Sequence, residues 1–251
     1  MKNILILLCS LALCAGCATS TTSTRLMSYN IRNGKGMDKQ VSLERIAEVI
    51  NNANVDAVAL QEVDSVTGRY PIDVAKVVGE LTNMHPTYGA SIDFMGGKYG
   101  IAVLTREKPL SFHRVPLPCR SEPRSLLIVE LEDYFFCSTH LSLHAEDRLA
   151  SIEIIRQTLS QLDKPAILAG DLNATPDEQS IKLLNESFQV FAKQGSAGTL
   201  TWPADKPEME IDYIALYNGD GTEAEVAQHY VVEATVESDH RPIVAEINIK
   251  R

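Results

Sequence analysis

The sequence predicts a single α/β domain, and three observations lead to this class. Short apolar runs with the character of buried strands alternate along the chain with segments whose apolar residues recur at helical spacing. The chain has 251 residues, 45% of them hydrophobic, which is enough for one large core. Beyond residue 24 we find no linker, internal repeat or low-complexity segment. Alternation of strands and helices within one core is typical of α/β proteins.

Eight segments are predicted as strands and four as helices. The strands are 25–30, 56–60, 99–105, 124–131, 134–141, 166–169, 210–216 and 243–249. The helices are 44–50, 71–81, 146–162 and 178–185. Ser42 is the expected N-cap of the first helix. The third helix is the longest, and its stripe of Leu149, Ile152, Ile155 and Leu159 is expected to pack on a sheet.

The first residues predict export from the cytoplasm. An apolar run at 4–13 follows Lys2 and ends shortly before Cys17, as in a secretory signal, and it is too short to remain as a membrane span. The small residues before Cys17 and the Ser/Thr-rich stretch after it resemble the lipobox of a bacterial lipoprotein. We therefore expect a signal peptide at 1–16, lipidation at Cys17, a tether at 17–24, and a lipid anchor on a bacterial membrane in the cell envelope. Simple secretion with cleavage elsewhere is the alternative.

The net charge limits the kinds of partner that the protein can bind, and the cysteine content bears on disulfide formation. The formal net charge is −10, so the surface repels polyanions at long range, and tight non-specific binding of duplex DNA is disfavoured. We therefore consider nucleic acid only as an alternative substrate of the protein. Cys119 and Cys137 are left after the N-terminal segment, and the sequence leaves open whether they form a disulfide or remain free thiols.

Several polar residues interrupt or follow the predicted strands. Asp171 and Asn173 follow the strand at 166–169, and in an extended segment their side chains would converge. Glu62 follows the strand at 56–60, where a buried carboxylate needs a cation or several donors. Asp212 lies between apolar residues and also needs a basic partner, which we expect from the segment Ser238-Asp239-His240-Arg241-Pro242.

Together, these positions form an ordered set of motifs. The set is Ser-Tyr-Asn30-Ile-Arg-Asn-Gly, Leu-Gln-Glu62-Val-Asp, Tyr-Gly-Ile-Ala-Val-Leu-Thr-Arg, Ser-Thr-His140-Leu, Gly-Asp171-Leu-Asn173-Ala-Thr-Pro, Ile-Asp212-Tyr-Ile and Ser-Asp239-His240-Arg-Pro. In this order the motifs resemble the endonuclease/exonuclease/phosphatase superfamily, which shares the fold of deoxyribonuclease I. The resemblance implies a four-layered α/β sandwich over residues 25–251, with two packed mixed β-sheets flanked by helices and an active site at one end.

The resemblance also implies a role for each polar residue. Glu62, Asn30 and Asp239 would hold Mg²⁺ or Mn²⁺, because hard divalent ions take carboxylate and amide oxygens. His240, oriented by Asp212, would act as general base or acid, and Asp171 is the alternative proton acceptor. His140 and Asn173 would donate hydrogen bonds to phosphate oxygens, and Arg124 would face the phosphate.

The implied reaction is in-line attack of water on phosphorus, with a phosphate ester as substrate. We expect a phosphodiesterase that acts as a monomer. A secreted nuclease and a hydrolase of inositol phosphates or sphingomyelin are alternatives within the same chemistry. A surface lipoprotein that binds a ligand without catalysis is the alternative from another class.

Overall fold

The computed structural model describes residues 21–250, which form two β-sheets packed face to face with helices on both outer sides. The predicted signal peptide at 1–16 and the lipidation site Cys17 lie outside the described residues. Within 21–250, no helix combines the length and the apolar character needed to span a bilayer. The four-layered sandwich expected from the motifs is confirmed.

The first sheet consists of seven strands in residues 21–250, and the second consists of six. The strands are β1 (Thr21–Asn30), β2 (Ala57–Thr67), β3 (Tyr70–Asp73), β4 (His85–Phe94), β5 (Gly97–Thr105), β6 (Ser111–Leu117), β7 (Arg124–Glu130), β8 (Phe135–His140), β9 (Ala166–Asp171), β10 (Phe188–Val190), β11 (Asp212–Tyr217), β12 (Glu223–Val231) and β13 (Ile243–Lys250). The first sheet has the order β12-β13-β1-β2-β5-β4, with β3 paired to β2, and the second has the order β10-β11-β9-β8-β7-β6.

Helices cover the two outer faces. They are α1 (Leu43–Ala53), α2 (Val74–Thr82), α3 (Ala145–Leu159) and α4 (Gln179–Leu184). The first two pack on the first sheet, the last two pack on the second sheet, and a third apolar layer that includes Phe136 and Ile247 fills the space between the sheets. Ser42 caps α1 as predicted, because its hydroxyl accepts the backbone N–H of Arg45 at 3.3 Å.

Three local expectations were wrong. Residues 21–24, expected in the tether, belong to β1 and pair with β13, and Thr24 Oγ1 lies 2.8 Å from the Tyr134 hydroxyl oxygen. The helix expected at 71–81 begins at Val74, because the residues before it pair with β2. In α3 the buried position belongs to Arg148 rather than Leu149, because the Arg148 guanidinium has polar partners inside the protein.

The sequence left open whether Cys119 and Cys137 form a disulfide. Both are free thiols in the structure.

Candidate active site

Three polar side chains stand side by side at one end of the second sheet. His140 ends β8, Asp171 ends the neighbouring parallel strand β9, and Asp212 begins β11, which runs antiparallel to β9. His140 and Asp212 each lie opposite Asp171 in the strand register. All three side chains are almost completely buried. Strand pairing alone therefore assembles this part of the site.

Asn30 and Glu62 come from the first sheet. Asn30 is the last residue of β1, which pairs in parallel with β2. The pairing of β2 with β5 shifts its register between Leu60 and Val63, and Glu62, within this bulge, has a φ of +59°. For a residue with a Cβ atom such backbone strain costs of order 1–3 kcal/mol and is concentrated at functional sites. Because β2 continues beyond the bulge, the expectation that Glu62 follows a strand end was wrong.

The Asn30 amide connects the two sheets. Its Nδ2 lies 3.2 Å from Glu62 Oε1 and 3.1 Å from Asp171 Oδ2, and its Oδ1 accepts the backbone N–H of Arg32 at 3.1 Å. Because a backbone N–H can only donate, this last contact fixes the amide with its NH₂ group towards the two carboxylates. Asn30 thus has the position of a donor to Glu62 rather than that of the direct metal ligand expected from the sequence.

His240 lies between two carboxylates. Its Nδ1 is 2.9 Å from Asp212 Oδ2, and its Nε2 is 3.6 Å from Asp171 Oδ2. Burial lowers the pKa of His240, but Asp212 and then Asp171 outweigh burial and raise this pKa well above its usual range. One ligand atom from each of the three residues lies within 4.8 Å of the others. The three residues could therefore share a proton or supply ligands to a metal ion.

Burial also shifts the pKa values of the surrounding groups. It raises the pKa of Asp171, and the charge of His240 opposes that rise. It raises the pKa of Glu62, against the hydrogen bond from Asn30. Burial lowers the pKa of His140 well below the usual range. These shifts favour the neutral form of His140 and the protonated form of His240, and they make ionisation of Asp171 and Glu62 costly.

Asn173 does not have the geometry expected from the sequence. Its φ of +49° takes it out of the extended conformation on which convergence with Asp171 was predicted. Instead, its backbone N–H donates to Asp171 Oδ1 at 2.9 Å, and its side-chain Nδ2 donates to the backbone oxygen of Leu141 at 3.0 Å. One N–H of this amide is thus occupied in joining the two loops that follow β8 and β9.

Arg124 and His140 are near neighbours. His140 Nε2 lies 3.4 Å from Asp171 Oδ2. After burial, the charge of Arg124 is the largest cause of the low pKa of His140. The Arg124 guanidinium is itself buried and forms an ion pair with Glu122. Arg124 therefore borders the site with its charge already partly neutralised.

Glu62 and Asp239 are the side chains best suited to a divalent metal ion. Glu62 is largely buried and forms no ion pair within residues 21–250, and after burial and the opposing Asn30 bond the charge of Asp239 raises its pKa further. Asp239 Oδ2 lies 3.4 Å from Arg32 Nε. A desolvated carboxylate without a cation costs free energy, which a bound ion would offset. Because both ligands are oxygens, they fit a hard ion such as Mg²⁺ or Mn²⁺.

Two arginines to which the sequence patterns assigned no role support the site. Arg32 lies in a turn, Arg32–Gly34, whose three φ angles are +44°, +47° and +80°. Its place within the motif Ser-Tyr-Asn30-Ile-Arg-Asn-Gly was a usable signal. Arg148 donates to the backbone oxygens of Ser142 and Leu143 at 3.2 and 2.9 Å and pairs with Glu178. Nothing in a helical pattern distinguishes such a buried arginine from an exposed one.

The fold and the site together define a class of protein. An acid-rich cluster with two histidines lies at one end of an α/β sandwich of two mixed sheets, as in phosphoesterases with the deoxyribonuclease I fold. A cavity of about 610 Å³ between 194–197 and 227–233 shares no lining residue with this cluster. The chemistry of the side chains, rather than the size of a cavity, identifies the site.

The chain belongs to the endonuclease/exonuclease/phosphatase family, whose sequence profile it matches over residues 27–240. Membership makes it a hydrolase of phosphate esters, in a family that generally depends on divalent metal ions. A comparison with curated protein sequences found no significant match.

Solved structures agree with the family. An endonuclease/exonuclease/phosphatase from Beutenbergia cavernae DSM 12333 is 23% identical, with a TM-score of 0.73 over 90% of this chain and 72% of that one. A mannosyl-6-phosphatase from Bacteroides thetaiotaomicron VPI-5482 is 18% identical, with a TM-score of 0.68 over 90% and 99%. The human Nocturnin catalytic domain with bound sulfate is 19% identical, with a TM-score of 0.69 over 92% and 97%. At these identities the likeness establishes the fold alone.

Proposed function

We propose that the chain is a phosphodiesterase that depends on Mg²⁺ or Mn²⁺ and uses water to attack phosphorus in line. One observation carries this proposal: Glu62, a desolvated carboxylate without an ion pair among residues 21–250, shares the Asn30 amide with Asp171, which faces His240. Metal-assisted hydrolysis of a phosphate ester needs a carboxylate that can bind a cation, here Glu62, beside groups that can transfer a proton, here Asp171 and His240.

Glu62 and Asp239 would hold the ion, and Asn30 would fix Glu62 through its hydrogen bond. When bound, the ion supplies positive charge that polarises the phosphate and stabilises the leaving oxygen. Arg32 pairs with Asp239. Its positive charge would reduce the repulsion between the carboxylates of Asp239 and Glu62 before the ion binds.

The proton from the attacking water would pass to Asp171. Asp212 and Asp171 raise the pKa of His240, so His240 would be a cation without a free lone pair to accept a proton. It would instead stabilise negative charge on the phosphate. Asp171 retains a carboxylate whose Oδ1 is fixed by the Asn173 backbone, and it would be the acceptor. His140 and the second N–H of the Asn173 amide would donate to phosphate oxygens.

The charge balance of the site supports a diester rather than a monoester. Arg124 is paired with Glu122, Arg32 is paired with Asp239, and His140 is neutral. Few unpaired cations are therefore available for a dianionic monoester, whereas a diester carries a single negative charge. The mannosyl-6-phosphatase among the structural neighbours is the reason for including monoesters in any test.

The test is hydrolysis of a panel by the purified protein with Mg²⁺, Mn²⁺ or a chelator. The panel contains an aryl phosphodiester, an aryl phosphomonoester, DNA, RNA, sphingomyelin and inositol phosphates, with His240→Ala as the control for contaminating enzymes. Metal-dependent turnover of the diester that is absent from the variant supports the proposal. Preferred cleavage of DNA or RNA that weakens steeply with salt would favour the nuclease alternative. Absence of both turnover and metal binding would favour the silent lipoprotein.

We also propose that the protein acts as a monomer, anchored to a bacterial membrane through a lipid on Cys17. The support is the sequence pattern around this residue. Membrane fractionation of the full chain and a Cys17→Ser variant tests the anchor. The variant should move to the soluble fraction after export, and an unchanged membrane fraction would contradict the assignment.

A further inference from the structure

Beside Glu62, two neighbouring turns of the first sheet bring a guanidinium group and two aromatic rings together. Arg69 lies between β2 and β3, Phe94 ends β4, and Tyr99 lies in β5. We call these three residues the Arg69 wall. Tyr99 lies opposite Asp64 in the pairing of β5 with β2, two residues beyond Glu62, so the wall adjoins the proposed metal ligand. A substrate whose phosphate lies at Glu62 would bring its organic group to this surface.

The Arg69 wall is fixed before any ligand binds. Arg69 Nε and Nη2 donate to the two carboxylate oxygens of Asp64 at 2.7 and 2.8 Å. Asp64 is completely buried and also accepts the hydroxyl of Thr67 at 2.9 Å. The guanidinium carbon lies 4.7 Å from the centre of the Phe94 ring and 5.4 Å from that of Tyr99, and the two rings are 5.9 Å apart. A bidentate ion pair and two ring contacts leave Arg69 little conformational freedom.

The chemistry of this surface differs from that of a phosphate site. Asp64 neutralises the charge of Arg69, so the wall has little attraction for a second anion. Arg69 Nη1 makes no hydrogen bond within residues 21–250, and the Arg69 side chain is still 35% exposed. Val66, near the end of β2, and Met95, in the turn between β4 and β5, are each 56% exposed. Flat, partly apolar surface with one free donor group suits the face of a ring that carries an oxygen acceptor.

We propose that the Arg69 wall is the binding site for the organic group of the phosphate ester, and that this group contains a ring whose face packs on Phe94 and Arg69. An oxygen on the ring accepts a hydrogen bond from Arg69 Nη1. This inference rests on the proposed function, because it places the phosphate at Glu62. A sugar ring and an aromatic ring share the required chemistry, and the test distinguishes them.

Calorimetry with phosphinates tests the inference without turnover, because phosphinates carry one negative charge and no ester bond. The probes are dimethylphosphinate, methylphenylphosphinate and a methylphosphinate joined to C6 of a pyranose, each added to the full chain with Mg²⁺. The variant is Phe94→Leu, which removes the ring face but keeps apolar bulk. The matched control is Phe112→Leu, since Phe112 is a 63% exposed phenylalanine on β6 of the other sheet. Thermal unfolding verifies that each variant is folded.

At least one ring-bearing probe should bind wild type roughly tenfold more tightly than dimethylphosphinate does. Phe94→Leu should reduce this ratio towards one without changing the affinity for dimethylphosphinate, and Phe112→Leu should leave it unchanged. The probe with the larger ratio identifies the ring as a sugar or an aromatic group. Equal binding of all three probes, or a ratio that survives Phe94→Leu, would overturn the inference and leave the proposed function intact. Failure of every probe to bind in the presence of Mg²⁺ would overturn both.

Discussion

Replacement of Glu62 by glutamine separates metal binding from folding. Glutamine keeps a carbonyl oxygen that can accept the hydrogen bond from Asn30 Nδ2, which is 3.2 Å long in the wild type. It removes a carboxyl group whose pKa is raised by burial and by the nearby charge of Asp239. Because the ionised carboxylate is costly there, Glu62→Gln should leave the stability of the metal-free protein unchanged or slightly higher.

The response to Mg²⁺ should differ sharply. An ion that binds the folded state alone adds about 2.7 kcal/mol at a concentration of 100 times its Kd. For a domain of this size each kcal/mol raises Tm by roughly 2–4 °C, so wild type should gain roughly 5–10 °C. Glu62→Gln should lose most of this gain. Differential scanning fluorimetry with and without Mg²⁺ measures both quantities.

The matched control is Glu225→Gln, because Glu225 is an exposed glutamate on β12. This variant should keep the full response to Mg²⁺. Two results would refute the reasoning: a Glu62→Gln variant with the wild-type Mg²⁺ response, or a large loss of Tm in the metal-free state. The first would show that Glu62 is not a ligand. The second would show that its carboxylate stabilises the fold.

Three further predictions concern the proton-holding group, the loops and pH. Asp212→Asn should lower kcat by roughly 10²–10⁴-fold while the Mg²⁺-induced shift of Tm persists, because the asparagine cannot stabilise cationic His240; a near-wild-type kcat would contradict the assignment. Arg148→Met should lower Tm and kcat together, because the carbonyls of the loop after β8 and the Glu178 carboxylate lose a buried donor at a cost of about 3 kcal/mol or more, and an unchanged melting curve would exclude this role. His229 has a pKa that burial and then Lys193 lower to about 3, so its contribution to stability is complete above the unfolded value of about 6.5 and is lost as pH falls from there towards 3. Urea unfolding of wild type should therefore lose up to about 1.4 kcal/mol more per pH unit in this window than that of His229→Gln, and parallel curves would contradict the shift.

The sequence predicted the interior of both sheets and missed their edges. All eight predicted strands correspond to interior strands, namely β1, β2, β5, β7, β8, β9, β11 and β13. The four outermost strands, β4, β6, β10 and β12, were missed, as was the short β3. Interior strands are covered on both faces and read as apolar runs. An edge strand such as β6 has mostly exposed residues and therefore lacks that signal.

The candidate site was predictable in composition but not in geometry. Strand ends and motifs pointed to Asp171 and Asp212, and strand register places these residues opposite each other. The bulge at Glu62 and the left-handed conformation of Asn173 were not predictable, because neither residue is a glycine and the strain depends on tertiary contacts. The position of Asn30 as a donor depends on the Arg32 backbone N–H, which no side-chain pattern reveals.

Hydrolysis of bis(4-nitrophenyl) phosphate tests the central claim most directly. Purified wild type, Glu62→Gln and Asp171→Asn would each be assayed with millimolar Mg²⁺ or Mn²⁺ and with a chelator. The account predicts turnover by wild type that the chelator abolishes, a rate for Glu62→Gln that recovers only at much higher metal concentration, and no recovery for Asp171→Asn at any metal concentration. Turnover that persists in the chelator, or that Asp171→Asn retains, would contradict it.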